Sequence, residues 1–253
     1  KKLRWQVIII FLAGLVVGIL LLTEQQPVVT TQKTPEPVQG GVYAEAIIGT
    51  PQRLNPLLEF YNSADRDINR LIFSSLVKFD GRGFPVGDLA DTWGVSKDGT
   101  IYNLTLKEGL RWQDGKPLTA SDVTFTISLL KNGGEYVPAD IQAFWNDVEV
   151  AALDEITLQF RLPEPFAPFM DYLTFGIVPQ HLLGDLSFAE IVDAPFNLQP
   201  VGSGPYRFER WITENGNIQG VVLVISETYS GSKPFIEQLE FRFFATSEDA
   251  LAA

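Results

Sequence analysis

Apolar and polar positions alternate cleanly between residues 101 and 106. Tyr102, Leu104 and Leu106 share one face, and Ile101, Asn103 and Thr105 share the other. Asp98-Gly99 just before this run is a turn dipeptide that reaches positive φ at low cost, so the segment reads as a hairpin strand. A second turn, Asp114-Gly115, leads through Pro117 to Thr119. There a hydroxyl can cap a helix while Asp122, three residues on, reaches back. Val123, Ile127 and Leu130 form the apolar stripe of that helix, and Gly133-Gly134 stops it.

The same reading extends along the chain. Residues 42–48 form a first strand, followed by a turn-rich loop through Pro56. Ile68, Leu71, Ile72 and Leu76 lie on one face of a helix over residues 64–76. Residues 79–177 read as hairpins around one helix: Val148 and Val150, then Ile156, Leu158, Phe160 and Leu162, alternate on either side of Asp154-Glu155. A short helix covers residues 166–172, and a helical turn follows Pro179. Strands are expected at 206–211, 221–225 and 239–243, with Asn215-Gly216 as a hairpin turn. Ser247 caps a last, short helix.

The N-terminus follows a different pattern. Residues 7–22 are uninterruptedly apolar or small, roughly 24 Å of helix, and Lys1, Lys2 and Arg4 precede them. This predicts a membrane contact through residues 3–22, with the basic end cytoplasmic and the remainder exported. The run is long for a signal peptide and no A-x-A site follows it, which favours an uncleaved signal anchor over a cleaved signal peptide. Residues 23–40, with Pro27, Pro35 and Pro37, read as a disordered linker.

Composition narrows the chemistry. The 253-residue chain is 45% hydrophobic, enough for a substantial core, and carries a net charge of −12. Such a field repels nucleic acid and anionic head groups. There is no cysteine, so disulfides, thiolate nucleophiles and cysteine metal sites are excluded. The one histidine, His181, makes neither a zinc site nor a triad. Gly202-Ser203-Gly204 lacks the glycine at 201 that a nucleophile elbow needs, and Pro205 blocks the helix turn. No Walker, Rossmann or EF-hand spacing is present. The expectation is no enzyme, no cofactor and no metal.

Five segments together resemble the family 5 extracellular solute-binding proteins, the peptide and nickel receptors of ABC importers. They are GTPQRLNPL (49–57), RLIFSSLVKFDGRGFPVGDLADTW (70–93), DGTIYNLTLKEGLRWQDGKPLTASDV (98–123), PVGSGPYRFERW (200–211) and ETYSGSKPFIEQLEFRFF (227–244). They stand in the family's order and cover nearly everything from Gly41 onward. Asn55 stands where the family usually has Asp, and Ser230-Gly231 follows Tyr229 where an aromatic residue is common. The resemblance implies an α/β, periplasmic binding protein-like fold of type II: a two-lobed clamp that closes over its ligand, here truncated. Its organisation would be a first lobe in two parts, 41–78 and 178–253, with a hairpin-rich subdomain, 79–177, inserted between them.

The resemblance also implies function. It predicts an extracytoplasmic, monomeric receptor that takes a small peptide or similar solute and delivers it to ABC permease subunits. A membrane-tethered sensing or interaction domain on the same fold is the alternative. The peptide, nickel chelate, sugar and opine ligands of the family are left open. The loops at 48–55 and 202–204 would face the cleft. Gly49 and Gly204 would let backbone approach the ligand, and Thr50, Asn55 and Ser203 would offer hydrogen bonds. Phe60, Tyr61, Phe144 and Trp145 are the aromatic candidates for the cleft wall, whereas Trp93 and Trp112 belong to the core. Ordinary turn chemistry and packing are the competing readings for each of these residues.

Overall fold

The computed structural model describes residues 2–24 and 38–253. Two compact units divide the chain, Lys1–Val38 and Gln39–Ala253. The first holds helix α1, Lys2–Glu24. Among the described residues, no helix is long and apolar enough to cross a membrane. The expected signal anchor gains no support from this. Most of the expected linker, residues 25–37, lies outside the described residues.

The second unit is built on two four-stranded sheets. One has the order β1-β10-β9-β8, from β1 (Val42–Ile48), β8 (Tyr206–Glu214), β9 (Asn217–Ile225) and β10 (Gln238–Phe244). β1 runs parallel to β10, a pairing that joins the two ends of the unit. β8 and β9 form a hairpin closed by Asn215 and Gly216, both at positive φ (51° and 80°) as a primed turn requires.

The other sheet is antiparallel, in the order β4-β5-β7-β6, from β4 (Ala90–Val95), β5 (Ile101–Leu106), β6 (Glu149–Ala152) and β7 (Thr157–Arg161). Tyr102, Leu104 and Leu106 of β5 are buried and pack with Leu158 and Phe160 of β7 in the core. Gly99 (φ 72°) turns β4 into β5. β2 (Val77–Phe79) and β3 (Pro85–Gly87) make a separate two-stranded ribbon.

Helix α3 (Ala120–Lys131) buries Val123, Ile127 and Leu130 as the stripe predicts. Asp122 Oδ2 accepts the Thr119 N–H at 2.9 Å, the return arm of a capping box. Its Oδ1 accepts the Gln180 N–H at 2.9 Å, so the cap also ties down α5 (Gln180–Leu183).

Three elements differ from the sequence reading. Helix α2 (Ser63–Ile72) ends earlier than residue 76, because Phe73 turns extended and Leu76 is already entering β2. A second helix in the hairpin region, α4 (Ala139–Asp147), was not anticipated: it starts at Pro138 without a side-chain cap and buries only Trp145. The last helix, α7 (Ser247–Ala252), is capped by Thr246, whose Oγ1 accepts the Asp249 N–H at 3.1 Å, rather than by Ser247.

Candidate functional site

A cavity of about 720 Å³ opens beside α2. Arg66, Asn69, Arg70 and Phe73 line it, one face of the helix and the residue after it at i, i+3, i+4 and i+7. The opposite face, with Ile68 and Ile72, is fully buried in the core. Pro56, Glu59 and Phe60 enter from the loop before α2, and Trp145, Tyr172 and Phe175 form the far wall.

That wall is a stack of rings. Trp145 lies edge-on to Phe175, with centroids 5.6 Å apart at 86°, and to Phe144 at 5.3 Å. Phe144 packs on Tyr172 at 3.9 Å. Interlocked rings of this kind give a stiff apolar surface. Close approach at the floor depends on Gly176: a Cβ there would sit 2.9 Å from both Phe73 Cβ and Pro56 Cβ.

Titratable groups mark one corner. Glu59 Oε2 accepts from Asn69 Nδ2 at 2.8 Å. Burial pushes the Glu59 carboxyl up to about 8, against the opposing pull of Asn69, Arg70 and Arg66. At the mouth, Lys78 pairs with Asp88 at 3.1 Å and lies 3.4 Å from the Tyr229 hydroxyl. Burial works against the Lys78 charge, but Asp88 and Tyr229 outweigh it and raise the ammonium pKa.

Of the residues expected at the cleft, Phe60 and Trp145 line this cavity. Tyr61 is 73% exposed outside it, and Thr50 is exposed, with its carbonyl accepting from Asn62 Nδ2 at 3.1 Å. Gly49 ends β1 at φ 121°, its N–H donating to the Phe244 carbonyl at 2.9 Å.

Asn55, Ser203 and Gly204 are spent on the scaffold. Asn55 has no exposed surface; its Nδ2 donates to Asn197 Oδ1 at 2.9 Å and its Oδ1 accepts the Leu57 N–H at 3.0 Å. Ser203 Oγ accepts the Ser74 N–H at 3.3 Å. Gly204 donates to the Ile72 carbonyl at 2.8 Å, and Gln113 bridges from its own hairpin to Gly202 and to the Tyr206 carbonyl. The conspicuous loops thus lock to one another and to the end of α2.

Glu59, Arg66, Asn69 and Arg70 were not singled out from sequence. The signal was there: three polar side chains at i, i+3 and i+4 on the face opposite the apolar stripe of α2. A solvated helix face has the same spacing, so the pattern alone does not announce a cavity.

Residues 85–253 match the family model described as bacterial extracellular solute-binding proteins, family 5 Middle. The oligopeptide-binding protein AppA of Bacillus subtilis is 28% identical over 225 residues, which are 86% of this chain and 39% of the relative. Its structure in complex with a nonapeptide superposes with a TM-score of 0.75 at 27% identity, covering 86% of this chain and 42% of that one. The structure of NikZ from Campylobacter jejuni in complex with Ni(L-His) gives 0.69 at 28% identity, covering 86% and 41%. The chain spans 31% to 42% of the length of the curated relatives it matches.

Proposed function

This chain belongs to the bacterial extracellular solute-binding proteins of family 5, and we propose that it forms the ligand-gripping first lobe of an extracytoplasmic receptor for peptides or similar small solutes. The receptor hands its ligand to the permease subunits of an ABC importer and is a binding protein rather than an enzyme. The observation that carries this reading is the cavity beside α2. Its volume, about 720 Å³, is that of a small-ligand site, and it combines an aromatic wall with a few convergent polar groups. An oligopeptide-binding protein and a nickel–histidine-binding structure stand among the similar proteins, and the aromatic wall of the cavity favours a ligand with apolar side chains, as peptides have.

In this reading, the ligand lies along the α2 face, with Phe60 and Phe175 packing against its side chains and the buried Trp145 holding Phe175 in place. A second lobe closes over it as a hinged clamp and excludes water. Phe60 and Trp145 are the cleft-wall residues retained from the sequence. Gly49, Thr50 and Tyr61 are placed nearer the rim, where the loop after β1 is free to approach an extended backbone. The basic start and apolar run of α1 are assigned to export. The unit works as a monomer.

Calorimetric titration of the chain with an equimolar mixture of tri- to pentapeptides tests the reading. Saturable heat that falls at least fivefold in affinity for Trp145→Ala is the expected result. No heat with any peptide, or heat indifferent to Trp145, contradicts it.

A further inference from the structure

Five dipeptides in the chain carry a side chain that can cyclise onto its own backbone: Asp80-Gly81, Asp98-Gly99, Asp114-Gly115, Asn132-Gly133 and Asn215-Gly216. In each, the glycine has no Cβ to shield its nitrogen, so that nitrogen can attack the preceding side-chain carbonyl carbon once the side chain turns toward it. Whether the side chain is free to turn is set by the fold.

Four of the five are tied down. Asp80 Oδ1 accepts the N–H groups of Arg82 and Phe84 at 2.9 and 3.0 Å. Asp98 Oδ1 accepts from the Thr100 hydroxyl at 2.9 Å and from its N–H at 3.2 Å. Asp114 Oδ1 accepts the Lys116 N–H at 3.0 Å, while its Oδ2 pairs with His181 Nε2 at 2.7 Å. Asn132 closes the end of α3, its Nδ2 donating to the Ser128 carbonyl at 2.8 Å. Gly133 beside it is packed so tightly that a Cβ there would lie 2.1 Å from Val137 Cγ2.

Asn215 is held by nothing comparable. It and Gly216 are exposed at the tip of the β8–β9 hairpin, and its side chain has no hydrogen bond among the described residues. A Cβ on Gly216 would meet nothing within 4 Å, so the approach is open. The tip is also weakly anchored: beyond the register shift after Ile212, only Thr213↔Ile218 and Glu214↔Asn217 pair.

We propose that Asn215 is a site of spontaneous deamidation, converting to aspartate and isoaspartate, and that the fold protects the other four dipeptides. The Gly216 nitrogen, deprotonated by hydroxide, bonds to Asn215 Cγ. The Cγ–Nδ2 bond breaks, and the amide nitrogen takes a proton from water and leaves as ammonia. Water then opens the cyclic succinimide. Opening at Cγ gives aspartate, and opening at the backbone carbonyl gives isoaspartate, whose main chain runs through the side chain and is longer by a methylene. The net reaction consumes a water and releases an ammonia, with no change of oxidation state.

Either product places a new carboxylate next to Glu214, which already shares Arg242 with Glu240. Isoaspartate also lengthens a two-residue primed turn that has no room for it in register, so the tip frays.

The test holds the 253-residue chain in mildly alkaline buffer and samples it over days. Trypsin, used under slightly acidic conditions, then puts Asn132 and Asn215 on separate peptides. Tandem mass spectrometry reads the exchange of amide nitrogen for oxygen at each residue. An isoaspartyl methyltransferase with labelled S-adenosylmethionine counts isoaspartate. In the folded chain, conversion at Asn215 is expected to be at least about tenfold faster than at Asn132, the protection that a closed, hydrogen-bonded end gives against local opening. In denaturant the two rates should converge, and methyl incorporation into the folded chain should fall to background in Asn215→Gln. Equal rates in the folded chain overturn the proposal. A difference that persists in denaturant also overturns it, by tracing the contrast to neighbouring residues rather than to the fold. Methyl incorporation that survives Asn215→Gln overturns the protection assigned to the other dipeptides.

Discussion

The loop at residues 202–204 and the cavity face of α2 sit close along the chain's fold, yet they treat polar groups in opposite ways. In the loop every polar atom discussed is answered by the scaffold: Gly202 by Gln113, Ser203 by Ser74, Gly204 by Ile72. On the helix face, Asn69 Oδ1 has no partner among the described residues and the Glu59 carboxyl is held near neutrality by burial. A scaffold spends its hydrogen bonds, whereas a binding surface holds some back for a ligand. Conspicuous motif loops therefore identify the family, while the candidate site lies on an inconspicuous helix face.

Substituting the loop should be costly to folding. A Cβ at Gly202 would fall 1.9 Å from the Ile72 carbonyl oxygen and 2.7 Å from its carbon. Both are backbone atoms that cannot swing aside, so Gly202→Ala is expected to destabilise by at least about 3 kcal/mol, at the upper end of overpacking costs. The denaturation midpoint measures this, and an unchanged midpoint would break the contrast.

The helix face should behave in the reverse sense. Glu59 has a folded pKa of about 8 against 4.5 in an unfolded chain, so the folded state holds the extra proton between these values. Stability from this group is therefore full below about pH 4.5 and is lost as pH rises through 8. Asp65, raised by burial to about 6, adds a loss of the same sign at lower pH. Glu59→Gln removes the titration, and the variant should be more stable than wild type at pH 8 by about 4 kcal/mol, with little difference at pH 4.5. Denaturant curves at the two pH values decide it, and a variant less stable at pH 8 would place Glu59 with the scaffold.

Asn55 sharpens the comparison from the other side. Asn55→Ala leaves Asn197 Oδ1 and the Leu57 N–H without their partner in the interior, at a cost of about 2 kcal/mol. Peptide affinity of the folded variant should be unchanged, which titration below its unfolding midpoint measures. The smallest effect belongs to Thr119. Thr119→Ala keeps the backbone N–H that Asp122 accepts, and the hydroxyl it removes lies 2.8 Å from Ser121 Oγ. About 0.5–1 kcal/mol is expected in the denaturation midpoint, the low end for a cap.

Much of the fold was legible because it is local. Period-2 burial in β5, the primed turn at Asn215-Gly216 and the Asp122 return to Thr119 are all written within a few residues of one another. α4 escaped because Pro138 supplies no polar cap and a single buried Trp145 gives no stripe. The end of α2 was misjudged because Leu76 continues the helical spacing while serving a strand junction. The site was the least legible part. Whether Asn69 faces solvent or a cavity depends on Trp145, Tyr172 and Phe175, residues far along the chain whose approach no local pattern encodes. Asn55 and Ser203 looked functional because polar residues in glycine-rich loops suit ligands, but the same residues suit loop locking equally well.

Photo-crosslinking tests the central claim, that ligand is held on the cavity face of α2, most directly. A tripeptide carrying a central benzoylphenylalanine is irradiated with the chain, and the attachment sites are mapped by mass spectrometry. Adducts are expected on Phe60, on residues 66–73 and on residues 172–176, suppressed by excess unlabelled trialanine. Competed adducts confined to residues 202–204, or spread over the exposed face of β1 with none on α2, would contradict it.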